Sequence, residues 1–207
     1  MNKELSNSNF NLALGGFILY GVLVNVVISF ILKSHIFTTE QLIATLVLCF
    51  VCGIAGVFVA LKNDDPKISF LGYNMLVIPF GLSIAAVVQL YSSKVVFEAF
   101  ALTAIIMLVM MVAATLKPEW FEGMGSILLT ALIGLIITEV VCLFLGIYHL
   151  WISAISAGIF SCYIGYDWML AQSGPKTLGA AIDSALNIYL DIINLFLDLL
   201  RIMGSDD

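Results

Sequence analysis

The chain has 207 residues, 62% of them hydrophobic and 11% charged, with a net charge of −6. A soluble domain is nearer half apolar and about a quarter charged, so a water-soluble core of this size cannot hide the apolar surface, and lipid is the expected solvent. The eight Lys and Arg are scattered singly, which argues against a nucleic-acid surface or a phospholipid-headgroup motif.

Seven apolar segments are long enough to cross a bilayer, at about 20 residues each. The first covers residues 10–32 after Lys3 and Glu4. It is too long for a signal-peptide core and no small-residue cleavage site follows it, so it reads as a retained span. The second, 41–61, contains Cys49 and Cys52 in a CxxC. That motif lies mid-span with no His and no second CxxC, so it reads as small packing residues rather than a zinc or redox site. The third, 68–90, encloses Pro79, where a kink is expected. The fourth, 95–116, and fifth, 124–147, carry one acid each, Glu98 and Glu139. The sixth, 149–171, closes on SCYIGYDW with Asp167, and the seventh is 182–203.

Every span is expected to be helical, because an open strand edge cannot be satisfied in lipid. The breaks between spans are short and polar, and Pro66, Pro118 and Pro175 fall in them, where proline ends helices. No connecting loop is long enough for a soluble domain. The expected fold is therefore all-α, one integral membrane domain over 1–207 with seven transmembrane helices. An N-terminus inside the cell places Lys3, Lys62, Lys67, Lys117 and Lys176 on the inner side. It leaves Lys33, Lys94 and Arg201 on the outer side, the orientation that a positive inner face favours.

The seventh segment is the unusual one. Asp183, Asn187, Asp191, Asn194, Asp198 and Arg201 recur at spacings of three and four. At ~100° per residue the six fall within an arc of about 80°, and at ~1.5 Å per residue the stripe runs about 27 Å, nearly the hydrocarbon thickness. Such a face avoids lipid, which places this helix centrally among the more apolar ones. Three readings of the stripe stand: the lining of a pathway, hydrogen-bonding glue between helices, or a helix lying on the membrane surface. The surface reading expects Lys and Arg on the polar face, and this face is Asp- and Asn-rich.

Ionisable residues inside spans point to function. Almost all of these are acidic, which suits cations or protons. Asp167 and Asp191 fall at comparable depth from the short break joining the sixth and seventh spans, so they are expected to meet. Two carboxylates in contact share a proton and titrate as a unit, and losing that proton adds repulsion. The pair thus reads as a proton-controlled latch. Glu98, Glu139 and Asp198 fall in the outer half, as a candidate acidic vestibule for hard cations such as calcium. The other reading of Asp198 is an i, i+3 pair with Arg201.

The stretches SCYIGYDWMLAQ (161–172) and IYLDIINLFLDLLRIMG (188–204), with FEAFALTA (97–104) and FLGYN (70–74), resemble the Bax inhibitor-1 family, also called the transmembrane Bax inhibitor motif family. The bacterial members look closest, which implies the plasma membrane of a bacterium. The resemblance implies seven helices around a central last one. It also implies a pH-sensitive calcium leak controlled by an aspartate pair, which by position is Asp167 and Asp191, with calcium held transiently near them. Bacterial relatives can latch the sixth-span aspartate with an arginine near the inner end of the second span. Here that region reads VALKNDDPK, so Lys62 is the candidate latch, a point charge in place of a bidentate fork.

The expected activity is a pH-sensitive calcium leak or transporter whose partners are the bilayer, calcium and protons, with no cofactor. Asp183, Asn187, Asn194, Asp198, Arg201, Glu98 and Glu139 are its candidate pathway-lining residues. The alternative is a non-transporting regulator that binds a membrane protease or stress-response partner; the sequence names no such partner. An enzyme is not expected. Intramembrane aspartyl proteases frame their second aspartate with glycines, whereas Ile188-Tyr189-Leu190 precede Asp191.

Overall fold

The computed structural model describes residues 4–61, 65–146 and 149–206. Among them there are seven long helices and no strand: α1 (Asn7–Ile31), α2 (Thr39–Leu61), α3 (Pro66–Val88), α4 (Ser93–Leu116), α5 (Gly125–Leu145), α6 (Leu150–Ser173) and α7 (Leu178–Met203). Single 3-10 turns, Pro118–Trp120 and Gly204–Asp206, follow α4 and α7.

The helix ends have local causes. Ser6 accepts the Asn9 amide at 3.3 Å and Ser92 accepts the Val95 amide at 3.4 Å, each filling an otherwise orphan donor. At α2 the cap is reciprocal: Thr38 Oγ1 accepts the Gln41 amide, and Gln41 Oε1 accepts the Thr38 amide at 2.9 Å. Asp65 caps α3 just ahead of Pro66, whose fixed φ suits the first helical turn. Gly146, at φ 64°, follows α5 in the left-handed region that favours glycine. Thr177 Oγ1 accepts the Ala180 amide at 3.2 Å, which starts α7 at Leu178, four residues earlier than the apolar pattern suggests.

The chain divides into two compact units. The first contains α1, α2, α3 and the stretch 174–189, which includes the start of α7. In it α3 packs against both α1 and α2. Phe10, Leu14 and Ile18, four residues apart on α1, are buried with Tyr73, Leu76 and Val77 of α3 and with Ala185, Leu186 and Tyr189 of α7. The Tyr73 and Tyr189 rings meet edge to face, with centroids 5.6 Å apart. Tyr73 donates to the Phe17 carbonyl at 2.8 Å, and Asn25 Nδ2 donates to the Tyr189 hydroxyl at 2.7 Å. The Leu5 amide donates to the Lys176 carbonyl at 2.7 Å, and the Lys176 ammonium lies 4.3 Å from the Phe10 ring centroid. Partial burial lowers the pKa of that ammonium.

The second unit contains α4, α5, α6 and residues 190–207. Here α6 packs against α4 and α5. Phe121, just after the 3-10 turn, packs with Ala114 and Met169. Its ring fills the space a side chain at Gly165 would need. Trp168 donates to Thr115 Oγ1 at 2.9 Å.

Many large apolar side chains are exposed along the helices, among them Leu19, Leu23 and Val26 on α1, Leu108 and Val112 on α4, and Ile133 and Ile137 on α5. Runs of that kind mark a surface made for something other than water. By length and composition α1, α3, α4 and Gly125–Cys142 of α5 suffice to cross a membrane. The helix α7 is of another kind, with Asp183, Asp191, Asp198 and Arg201 inside it and most of its residues buried.

A Cβ at Gly21 would clash with the Tyr73 hydroxyl and meet the Tyr189 ring at 2.9 Å, whereas one at Gly16 meets nothing within 4 Å. Gly21→Val is therefore expected to destabilise by about 1–3 kcal/mol through overpacking, while Gly16→Val stays close to neutral. Thermal unfolding of the two variants in detergent checks this; equal melting temperatures would contradict it.

Candidate functional site: carboxylates at the α6–α7 contact

The sequence reading places Asp167 and Asp191 together, and the structure puts their carboxyls within hydrogen-bonding reach of each other. Asp167 is half-buried on α6, and Asp191 is only 6% exposed on α7. Such a contact requires a proton between the two groups, since two ionised carboxylates have only acceptors to offer. The second oxygen of Asp191, Oδ2, is buried without a hydrogen-bond partner among the described residues. Tyr163, one helical turn before Asp167, lies close enough to both acids to interact electrostatically. The sequence shows only its i, i+4 spacing to Asp167.

A second contact joins the same helices. Asp198 is only 2% exposed. Its Oδ2 accepts from Ser156 Oγ on α6 at 2.5 Å, and its Oδ1 accepts from Arg201 at 3.3 Å. The i, i+3 ion pair is therefore present, with its arginine 37% exposed and its carboxylate buried. Glu139, exposed on α5, acts electrostatically on Asp198. Ser156 was not singled out, because a serine in an apolar helix looks like any other small packing residue.

The remaining candidates have varied surroundings. Glu98 pairs with Lys94 one turn away at 3.8 Å on the surface of α4. Asn194 donates to the Leu190 carbonyl of its own helix at 2.8 Å. Asp183 is half-buried and Asn187 is exposed, both in the first unit. Lys62 lies outside the described residues. Of the CxxC, Cys49 shares a hydrogen bond with Ser83 at 3.0 Å, and all four cysteines are free. Among the described residues no three His, Cys, Asp or Glu cluster in a way that suits a bound metal ion.

Helices with exposed apolar faces, together with carboxylates buried between two of them, are the marks of an all-α membrane protein. The chain matches the family model described as Inhibitor of apoptosis-promoting Bax1 over residues 9–207. It therefore belongs to the Bax inhibitor-1 family. It is 33% identical to an uncharacterized membrane protein of Streptococcus pyogenes serotype M1 over 174 residues, 80% of this chain and 73% of that protein. A Deinococcus radiodurans protein is 35% identical over 147 residues, covering 67% of this chain and 62% of its own length. A Borreliella burgdorferi protein is 28% identical over 188 residues, covering 84% and 79%.

The polar pair in the first unit permits a double-mutant test. Asn25 Oδ1 is buried with no hydrogen-bond partner among the described residues, so its Nδ2 bond to Tyr189 is the one that offsets burying the amide. Tyr189→Phe removes that acceptor and is expected to cost about 1–3 kcal/mol. Adding Asn25→Leu to it should recover part of the loss, because no buried amide is then stranded. Unfolding of the single and double variants checks the coupling; strictly additive losses would show that the bond contributes nothing.

Proposed function

We propose that this protein is a pH-sensitive calcium leak of a bacterial plasma membrane, gated by Asp167 and Asp191. The observation that supports this most is the contact between the two carboxyls, one on each of two successive helices. In this reading all seven helices cross the bilayer with the N-terminus in the cytoplasm. The pair then lies toward the inner face, and the lipid, calcium and protons are the partners. The role is transport, without catalysis.

The chemistry follows from the proton. With one proton on the pair, a hydrogen bond holds α6 to α7. Without it, two unit charges about 4 Å apart repel by about 4 kcal/mol at an effective dielectric constant of about 20, enough to shift a two-state equilibrium by about 10³-fold. Rising pH therefore opens the contact. The freed carboxylate oxygens are hard donors of the type calcium takes, and the unpartnered Asp191 Oδ2 already supplies one. They hold the passing ion transiently. Glu139, near Asp198, adds negative charge that attracts cations.

The test is calcium entry into dye-loaded proteoliposomes from about pH 6 to about pH 8. Flux through the parent protein is expected to rise with pH. Asp191→Asn and Asp167→Asn each keep a hydrogen bond and remove the repulsion, so both should flatten the rise by about tenfold or more. A parent with no flux at any pH would rule out the leak and favour the regulatory alternative. Variants that keep the parental pH profile would rule out the aspartate gate alone.

A further inference from the structure

Two contacts tie α6 to α7 in the second unit, and they respond to charge in opposite ways. Along α6 the contact residues are Ser156 and Asp167, about 16 Å apart at 1.5 Å per residue; along α7 they are Asp198 and Asp191, about 10 Å apart. The order is antiparallel, the later α6 residue meeting the earlier α7 residue. At one contact acid faces acid, so losing a proton turns attraction into repulsion. At the other, the acid faces a hydroxyl and a guanidinium. An ionised Asp198 accepts from both Ser156 and Arg201. A protonated Asp198 is neutral and still bonds to Ser156. Neither state places like charges across the helix pair. The other charged group acting on Asp198 is Glu139 on α5, which is exposed. Tyr163 of α6 faces the Asp167–Asp191 pair.

We propose that Ser156, Asp198 and Arg201 form a charge-compensated clasp that serves as the pivot about which α6 and α7 separate at the Asp167–Asp191 end. The proposal rests on the reading of that pair as the moving latch. The three are positioning residues: the clasp fixes one end of the helix pair, so that repulsion at the other end becomes an angular opening rather than a general loosening. Asp198 is burial-compatible because Arg201 lies within one turn and reaches the exposed side.

The experiment measures distances between nitroxide labels in liposomes, on the full chain with its cysteines replaced. One label pair, Ile155 with Ile202, reports on the clasp; another, Leu170 with Leu190, reports on the latch. As pH rises the latch distance is expected to lengthen by about 2 Å or more while the clasp distance holds. In Ser156→Ala and Asp198→Leu, which remove the donor or the acceptor of the clasp, its distance should lengthen or broaden as well, and the pH rise of calcium flux should lose steepness. Ser156→Thr, which keeps the hydroxyl, should restore both. A clasp distance that lengthens in the parent as much as the latch distance overturns the proposal, and so does a clasp distance unchanged in Ser156→Ala and Asp198→Leu. A latch distance indifferent to pH overturns the pivot and the aspartate gate together, whereas loss of calcium flux with both distances behaving as expected overturns the leak alone.

Discussion

A carboxyl group inside an apolar helix pair must be given a proton, a cation or a donor, because its bare charge costs several kcal/mol there. The helix α7 meets this demand at two places. At Asp191 the remedy is a proton shared with Asp167. At Asp198 it is a donor from α6 and a guanidinium one turn along. The two remedies differ in durability. A shared proton exchanges with the medium, whereas a guanidinium keeps its charge at every physiological pH. One helix therefore carries one contact that turns from attraction to repulsion when it loses its proton and one that stays attractive in either state.

Uncharged polar groups are answered in the same way. In the first unit the polar groups of α1 and α3 answer each other, Tyr20 to Asn74 at 2.7 Å and Tyr73 to the Phe17 carbonyl. Gly21 and Gly81 give the room those side chains need: the Tyr73 hydroxyl lies over one, and Asn25 Oδ1 over the other. Small residues at close contacts are how helices associate when no hydrophobic force separates them from lipid. Gly165 against Phe121 and Gly125 against Tyr166 repeat the device in the second unit.

Much of this was legible in the sequence. Helix number and type followed from the apolar runs and from polar breaks holding Pro66, Pro118 and Pro175. The Asp167–Asp191 contact followed from counting depth on two helices joined by a short break, and the Asp198–Arg201 pair from its i, i+3 spacing. What escaped depended on partners rather than patterns. The apolar pattern begins at 182 because Pro175, Lys176 and Gly179 look like a loop, yet Thr177 caps a helix that already includes Gly179. Ser156 carries no signal of its own; it matters because of an acid on the facing helix. The polar stripe of α7 lies within one arc, but its members answer to different neighbours. Asn194 turns back on its own helix, while Asp191 and Asp198 reach across to α6. Angular position fixes which way a side chain leaves its helix, not what it meets.

Magnitudes decide whether a shared proton is enough to move helices. A hydrogen bond to a charged group contributes about 1.5–3 kcal/mol net. Replacing it by a repulsion of about 4 kcal/mol gives a swing of about 6 kcal/mol, close to the 5.5 kcal/mol that carries a two-state equilibrium from about 1:99 to 99:1. A single proton therefore has the leverage, but only if the swing is spent on one motion. Were the helix pair free at both ends, part of it would go into sliding and rotation that open nothing. The Ser156 hydroxyl on Asp198 contributes an interaction of the same order as the bond that is lost, and it does not vanish with the proton. A contact of that strength about 10 Å along α7 is enough to hold one end while the other yields.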